Sequence, residues 1–140
     1  MLKTKTFAIL TVIVLMLASL PLAVRGSDYR EEFSKTASLK AGDSFGLDNV
    51  NGKVNVATWK EDKVEIKALK VARDDEKDLK DVEIRVEESA GRVMVKAIWP
   101  KHRNNFHVYV DFDIKVPEGV NLKKVETVNG DVRATGIFAS

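Results

Sequence analysis

A strict two-residue alternation of apolar and polar side chains constrains this chain more than any other feature. Between residues 108 and 116 every second residue is apolar, and the residues between them are Tyr, Asp, Asp and Lys. A period of two is the spacing of a β-strand with one face against a core and the other in water. The run stops at Pro117-Glu118-Gly119, where Pro and Gly favour a turn. We therefore predict a long strand at residues 108–116.

Shorter stretches of the same alternation occur earlier in the chain, at residues 53–57, 63–68, 82–87 and 92–96. At Leu69 the apolar phase slips by one residue, which predicts a β-bulge near Ala68 or Leu69. Residues 73–81 are mostly charged, and we interpret them as a loop with one or two helical turns packed through Leu79. The predicted fold class is all-β, with short strands in stacked sheets that are either β-solenoid-like or sandwich-like.

The first 26 residues have the pattern of a secretory signal peptide. Lys3 and Lys5 precede an uncharged apolar run at residues 7–24, and Gly26 closes the small-residue exit. We predict cleavage after Gly26, with Ala23 as the alternative. An uncleaved anchor stays open, because the run is at the lower limit of a bilayer span. The predicted organisation is a signal peptide helix at 1–26, a flexible polar lead-in at 27–34 and a β domain at 35–140.

Charge and cysteine content exclude several classes of function. Without residues 1–26 the chain has 20 basic and 21 acidic residues, a net charge of −1. Such a balance lacks the basic surface that nucleic-acid binding requires. The sequence contains no cysteine, which excludes a disulfide framework and a lipid anchor on cysteine. We expect an exported protein in the periplasm, on the cell surface or in the medium.

Two Val-Asn-Gly segments are the most specific turn signals. They place Asn51-Gly52 and Asn129-Gly130 between apolar runs. Asn-Gly accepts positive φ at both positions, so we predict tight structural turns. A calcium site is disfavoured, since one nearby Asp at each turn supplies too few oxygen ligands.

A weak internal repeat accompanies these turns. Gly52, Gly91 and Gly130 are 39 residues apart, and each is followed by a charged residue and Val. Trp59 and Trp99 lie at matching distances after the first two glycines. Either these tryptophans pack at sheet edges, or they present an aromatic surface to a sugar or protein.

No arrangement of residues predicts catalysis, a cofactor or a metal site. His102 and His107 are the only histidines, and transition-metal sites usually need three or four His or Cys ligands. Asp111 and Asp113 share one face of the predicted strand, about 7 Å apart. That spacing is compatible with a glycosidase carboxylate pair. Solvent-facing aspartates are ordinary on a strand, so we predict that the protein is not an enzyme.

Several stretches together resemble the DUF4097 family of putative adhesins, which are exported bacterial β-proteins. The resemblance spans residues 33–137 and rests on residues 47–56 with Trp59, 64–68, 81–86, 110–120 and 127–132. It implies an exported, β-solenoid-like domain without established enzymatic activity, and it carries over no functional residues. Family members commonly continue through further Val-Asn-Gly repeats, so this chain is either a short member or one truncated after Ser140.

Three hypotheses for function follow. The first is a non-catalytic, adhesin-like envelope or surface protein that binds protein, glycan or itself by strand addition at its C-terminal edge. The second is a regulatory or stress-sensing module of the periplasm or cell wall. The third is a glycan hydrolase that uses Asp111 and Asp113.

Overall fold

The described residues of the computed structural model, 28–104 and 106–140, form nine strands in two sheets around one core. The strands are β1 (Tyr29–Ser38), β2 (Ser44–Asn51), β3 (Val54–Trp59), β4 (Lys63–Ala72), β5 (Glu83–Ser89), β6 (Arg92–Ile98), β7 (Val108–Pro117), β8 (Asn121–Asn129) and β9 (Val132–Thr135), with a short helix, α1 (Asp78–Asp81), between β4 and β5. One sheet has the order β1-β4-β7-β3-β9 and the other β5-β6-β2-β8. The all-β prediction is confirmed, and the predicted signal peptide helix lies outside the described residues.

The middle of the molecule consists of three strand–connection–strand units that lie on one another in parallel. Strand β2 pairs in parallel with β6 on one side and β8 on the other, while β3 pairs in parallel with β7 and β9. The units therefore follow the order β6–β7, β2–β3, β8–β9, and we call them the stack. Antiparallel strands β4 and β1 extend one sheet beyond β7, and antiparallel β5 extends the other beyond β6.

The core lies between the two sheets and is built from the alternating apolar residues. In β7 every second side chain from Val108 to Val116 is buried, as the sequence pattern predicts. The largest fully buried side chains include Phe45, Leu47, Ile66, Phe112 and Ile114, which come from both sheets. Because each sheet contributes one apolar face, the strands bury this surface together and leave their other faces polar.

Strand β2 departs from alternation at Gly46, because a side chain of the neighbouring strand β6 covers the other face of β2 there. Phe45, Gly46 and Leu47 are buried in succession. A Cβ on Gly46 would lie only 2.5 Å from the sulfur of Met94, so that side chain packs directly on the glycine backbone. Strands covered on both faces do not show a two-residue period.

Residues 29–34 differ from the predicted flexible lead-in, because they form most of β1. Tyr29 and Phe33 are half-buried and pack against the core, two positions of an alternation that polar neighbours obscure. Glu31 points to the same side and forms an ion pair with Lys70 of β4 at 2.9 Å. Pairing along all of β4 thus gives this polar segment its strand structure.

The predicted bulge near Ala68 or Leu69 is wrong. Strand β4 pairs without interruption with β1 and β7 through this region. The phase slip arises because Lys70 occupies an inward position, where its ammonium also donates to the carbonyl of Leu79 at 3.1 Å. The irregularity is instead in β8, where Leu122 and Lys124 oppose successive residues of β2 and Lys123 is left out of register.

Residues 73–82 cover one end of the core. Helix α1 is a single turn, and Leu79 and Val82 are buried within the core cluster, as predicted for Leu79. We call residues 78–82 the cap. None of the helices in the described ranges is long and apolar enough to cross a membrane.

Candidate functional site

The two Asn-Gly segments lie directly on one another, where the chain passes from one sheet to the other. Asn51 and Gly52 connect β2 to β3, and Asn129 and Gly130 connect β8 to β9. The side-chain amide of Asn129 donates to the side-chain oxygen of Asn51 at 2.7 Å. The backbone N–H of Gly52 donates to the carbonyl of Asn129 at 2.9 Å. We call these two connections the corners.

Glycine is required at both corners by close backbone approach. Gly52 has φ +126°, and a Cβ there would lie 1.9 Å from the carbonyl oxygen of Val110. Gly130 has φ +153°, and its Cβ would lie 2.0 Å from the carbonyl oxygen of Gly52. Among the described residues other than glycine, only His102 has positive φ, so neither corner Asn does. The prediction of tight turns assumed that both Asn and Gly accept positive φ, whereas only the glycines have it here and each corner moves the chain from one sheet to the other.

Two polar side chains next to the corners hold them in place. Asp111 of β7 accepts a hydrogen bond from the backbone N–H of Lys53 at 2.8 Å. Asn49, fully buried in β2, donates from its side-chain amide to the carbonyl of Val110 at 2.9 Å. Asp111 thus has a structural partner at the corner, which the sequence alone did not suggest for it.

Asp111 and Asp113 also line a shallow groove on the outer face of the five-stranded sheet. Its other polar lining includes Glu32, Asn55 and Lys67. The described residues contain no group of three or more His, Asp or Glu side chains that could hold a metal ion. The charged side chains that line the groove are three carboxylates, those of Glu32, Asp111 and Asp113, and one ammonium group, that of Lys67.

The two tryptophans lie apart and in different environments. Trp59 ends β3 on the outer face of the five-stranded sheet, where its indole N–H donates to the carbonyl of Lys63 at 2.8 Å. The ammonium groups of Lys63 and Lys115 lie 5.6 and 5.5 Å from its ring centre. Trp99 follows β6 and packs edge-on against Phe106, at 6.1 Å between ring centres.

Trp59 and Trp99 do not occupy equivalent places in the fold, although both follow a glycine of the 39-residue repeat. The reason is that Gly91, unlike Gly52 and Gly130, is not at a corner. Gly91 lies in the β5–β6 hairpin, at the opposite end of the strands from Gly52 and Gly130. Its carbonyl accepts the N–H of Ser44 at the start of β2. A spacing that is equal in sequence thus connects non-equivalent positions of the stack.

The cap end is closed by ion pairs as well as by apolar contacts. Arg103, in the loop between β6 and β7, pairs with Asp78 at 2.8 Å and with Asp81. The hydrogen bond that Arg103 donates to Asp81 and the charges of both carboxylates raise the pKa of Arg103 above its usual value. Asp78 is itself almost fully buried, so this pair fixes the loop against the cap.

The opposite end of the stack is open. Strands β8 and β9 are the last strands of their sheets, and β9 is exposed along its whole length. Within the described chain, the exposed large hydrophobic side chains are Val128 (73%), Val132 (43%) and Ile137 (62%), and all three belong to this end. We call β8, β9 and residues 136–139 the open end. Its apolar surface is the feature that sequence reasoning missed.

The open end carries one ion pair of its own. Lys124 and Glu126, both exposed in β8, are 3.0 Å apart. The hydrogen bond and charge of Glu126 raise the pKa of Lys124. After β9 the chain turns back along the stack, where the N–H of Gly119 donates to the carbonyl of Ile137 at 2.9 Å and the N–H of Ala139 to that of Val120 at 3.0 Å.

No protein-family model and no curated protein matches the chain. Two solved structures are similar to it. A putative cell adhesion protein from Clostridium sporogenes has 14% identity and a TM-score of 0.42, over 74% of this chain and 51% of that one. A putative adhesin from Bacteroides fragilis has 12% identity and a TM-score of 0.38, over 77% of this chain and 51% of that one.

The chain therefore spans about half the length of each of these structures. At such identities and TM-scores, neither similarity carries the functional proposal below. Membership of the DUF4097 family stays a prediction.

Proposed function

We propose that this protein is an exported, non-catalytic, adhesin-like binding module of the cell envelope, which engages its partner through the open end. The observation that carries the proposal is that the exposed large apolar side chains of the described chain all lie at this end, beside the edge strands β8 and β9. Edge strands present unpaired N–H and C=O groups that can pair with another chain. Strand addition supplies main-chain hydrogen bonds for affinity and side-chain contacts for specificity.

A comparison of the open end with the groove that Asp111 and Asp113 line favours a binding protein over a hydrolase. Asp111, one of the two candidate carboxylates, is already hydrogen-bonded to the corner backbone at Lys53. A hydrolase pair would need both carboxylates free to meet substrate and water. The open end, in contrast, offers a surface whose ordinary use in proteins is contact with another molecule.

The location is tested by protease treatment of intact host cells, followed by mass spectrometry of the released peptides. Release of peptides from residues 28–140 while the cells are intact supports display on the cell surface. Release only after the envelope is opened would contradict adhesion to outside surfaces and favour the regulatory module of the periplasm or cell wall.

The binding mode is tested with the variant Val128→Lys, which places a charge in the apolar surface of the open end. We expect it to bind intact host cells or isolated envelope more weakly than the unmodified protein. Ser34→Lys is the matched control, because it adds the same charge at an exposed position of β1, the other edge of the five-stranded sheet. Equal binding by the two variants would contradict a role for the open end.

A further inference from the structure

The open end presents two sheet edges at one level of the stack. Strand β8 follows β2 and β9 follows β3, and β2 and β3 belong to the same unit. A partner that extends one sheet therefore also approaches the other. The half-buried Leu122 and Val125 of β8 and the 43%-exposed Val132 of β9 lie between these edges, next to the core.

The opposite end of the molecule does not have a matching shape. There the five-stranded sheet continues past the stack by two strands, β4 and β1, while the other sheet continues by β5 alone. The helix α1 packs beside β4 and β1 at this end. In a head-to-tail contact, the edges of one sheet would meet, while the edges of the other sheet would be offset by the width of one strand. This geometry disfavours open filaments and favours a closed pair of identical ends.

The charge pattern of β8 is self-complementary in an antiparallel arrangement. Lys124 and Glu126 flank Val125 and are both exposed. If β8 meets a second β8 in antiparallel register with Val125 opposite Val125, each Lys124 lies opposite the other copy's Glu126. Directly opposite residues of an antiparallel pair have Cβ atoms about 5 Å apart, close enough for ion pairs.

We infer that the occupant of the open end is a second copy of this chain, joined by antiparallel pairing of β8 with β8 centred on Val125. This inference rests on the proposed function, of which it names the partner. The pair is two-fold symmetric, contains two Lys124–Glu126 contacts between copies and covers apolar side chains of the open end that are exposed in the single chain. Because the pair is symmetric, the bulge at Lys123 of each copy ends the regular pairing on both sides of the centre, opposite Thr127 of the other copy.

Charge reversal tests the pairing and its register together. In Lys124→Glu both flanking positions are acidic, and in Glu126→Lys both are basic, so each variant alone places like charges opposite one another. We expect each to dimerise roughly tenfold more weakly than the unmodified protein, from the loss of two exposed ion pairs and the added repulsion. An equimolar mixture restores two opposite-charge contacts, and we expect it to dimerise as the unmodified protein does.

The measurement is the molar mass in solution over a wide range of concentration, on the protein as its expression host exports and processes it. Lys67→Glu and Glu65→Lys are the controls, because these residues also form an ion pair two residues apart on one face of a strand, with Lys67 exposed and Glu65 partly buried in β4. We expect the controls to dimerise like the unmodified protein, alone and mixed. Dimerisation of the Lys124 and Glu126 single variants at unchanged affinity, or a mixture that stays monomeric, would overturn the inference.

A cross-link supplies an independent measurement, because the chain has no cysteine of its own. In Val125→Cys the two thiols face each other across the axis, and we expect oxidation to give a disulfide dimer. In Val128→Cys the same register places the two thiols about 20 Å apart, at about 3.4 Å per residue. That exceeds the reach of a disulfide. A disulfide dimer of the Val128→Cys variant, with none of the Val125→Cys variant, would overturn the register.

Failure of this inference can be distinguished from failure of the proposed function. If the unmodified protein stays monomeric at every concentration, the second copy is excluded as partner. The cell-binding comparison of Val128→Lys with Ser34→Lys then still decides whether the open end binds something else. If dimers form but neither variant differs in cell binding, the second copy stands and the adhesin-like role is lost.

Discussion

The two ends of this molecule solve the problem of sheet edges differently. At the cap end, antiparallel strands and the cap cover the core, and Leu79 and Val82 are buried. At the open end, the parallel unit β8–β9 stops with Val128, Val132 and Ile137 exposed. Solenoid-type stacks need a polar terminal unit to stay soluble on their own. The cap end has such a unit, while the described part of the open end presents an apolar surface.

The polar contacts follow the same division. At the cap end, Lys70 is buried, and it bonds both to Glu31 and to the carbonyl of Leu79. At the open end, the Lys124–Glu126 pair is exposed on both sides. Buried pairs contribute to specificity of structure and cost much when one partner is removed, while exposed pairs contribute little to stability. Removal of the buried Lys70 ammonium is therefore expected to cost more stability than loss of the exposed Lys124–Glu126 pair.

The largest expected effect comes from the two corner glycines, which differ in their place in the stack. Gly52 lies in the middle unit, and Gly52→Ala forces a Cβ against the backbone of Val110 in β7. We therefore expect a loss of about 4 kcal/mol or more in the free energy of unfolding. Gly130→Ala meets the backbone of Gly52 equally closely, but no described strand lies beyond the last unit, which can therefore move away more easily. We expect a smaller loss for Gly130→Ala, measured by urea unfolding. Equal losses would show that the open end is as rigid as the middle.

The next effect compares an apolar side chain at each end. Leu79→Ala removes a buried side chain from the cap, and we expect it to cost about 2–4 kcal/mol of unfolding free energy. Ile137→Ala removes a side chain that is 62% exposed, and we expect a change within about 0.5 kcal/mol. Thermal or urea unfolding of both variants provides the measurement. A large cost for Ile137→Ala would mean that the open end is covered in solution.

A smaller effect separates the structural role of Asp111 from a catalytic one. Asp111→Ala leaves the N–H of Lys53 without its partner at 2.8 Å, and we expect a loss of about 1–2 kcal/mol. Asp111→Asn keeps an acceptor oxygen at the same place, so we expect nearly full stability. Asp113→Ala is the control, since Asp113 is exposed and has no such contact among the described residues. Equal stability of the two alanine variants would contradict the anchoring of the corner by Asp111.

The strands that could be predicted from the sequence are those with one face in the core and the other exposed to solvent. Alternation identified β7 with its turn at Pro117, and Leu79 identified the packed turn of α1. Strand β2 escaped prediction because Gly46 and Asn49 are buried in a strand that is covered on both faces. Strand β1 escaped because its polar residues owe their structure to pairing with β4, whose partner residues lie 25 to 43 positions away in sequence.

The corners were predicted as turns, but not as a stack. Asn51 and Asn129 are 78 residues apart, and their hydrogen bond depends on the parallel pairing of β2 with β8. The parallel pairing of β3 with β7 likewise gives Asp111 its partner at Lys53. The pairings of β2 with β8 and of β3 with β9 set β8 and β9 at one level. Local patterns report which residues turn, while the partner of each strand depends on the packing of the whole chain.

The smallest expected effect is on the pH dependence of stability, which should differ between the Lys124–Glu126 pair of the open end and the Arg103 pairs of the cap end. Attraction to Glu126 raises the pKa of Lys124, so the charged form is favoured in the folded state and the pair stabilises below the ordinary lysine value. This contribution disappears as the pH rises through the raised pKa, above about 10.5. The raised pKa of Arg103 keeps the cap pair charged over the same range.

Alkaline pH should therefore weaken the open end before the cap end. We expect the small difference in urea stability between the unmodified protein and Lys124→Met to vanish between about pH 8 and about pH 11.5. The difference between the unmodified protein and Arg103→Met should persist over that interval. Because Lys124 is exposed, salt should reduce its contribution at the lower pH as well. If both stability differences vanish over this pH interval, the ion pairs of the two ends do not differ in their dependence on pH, and this prediction is contradicted.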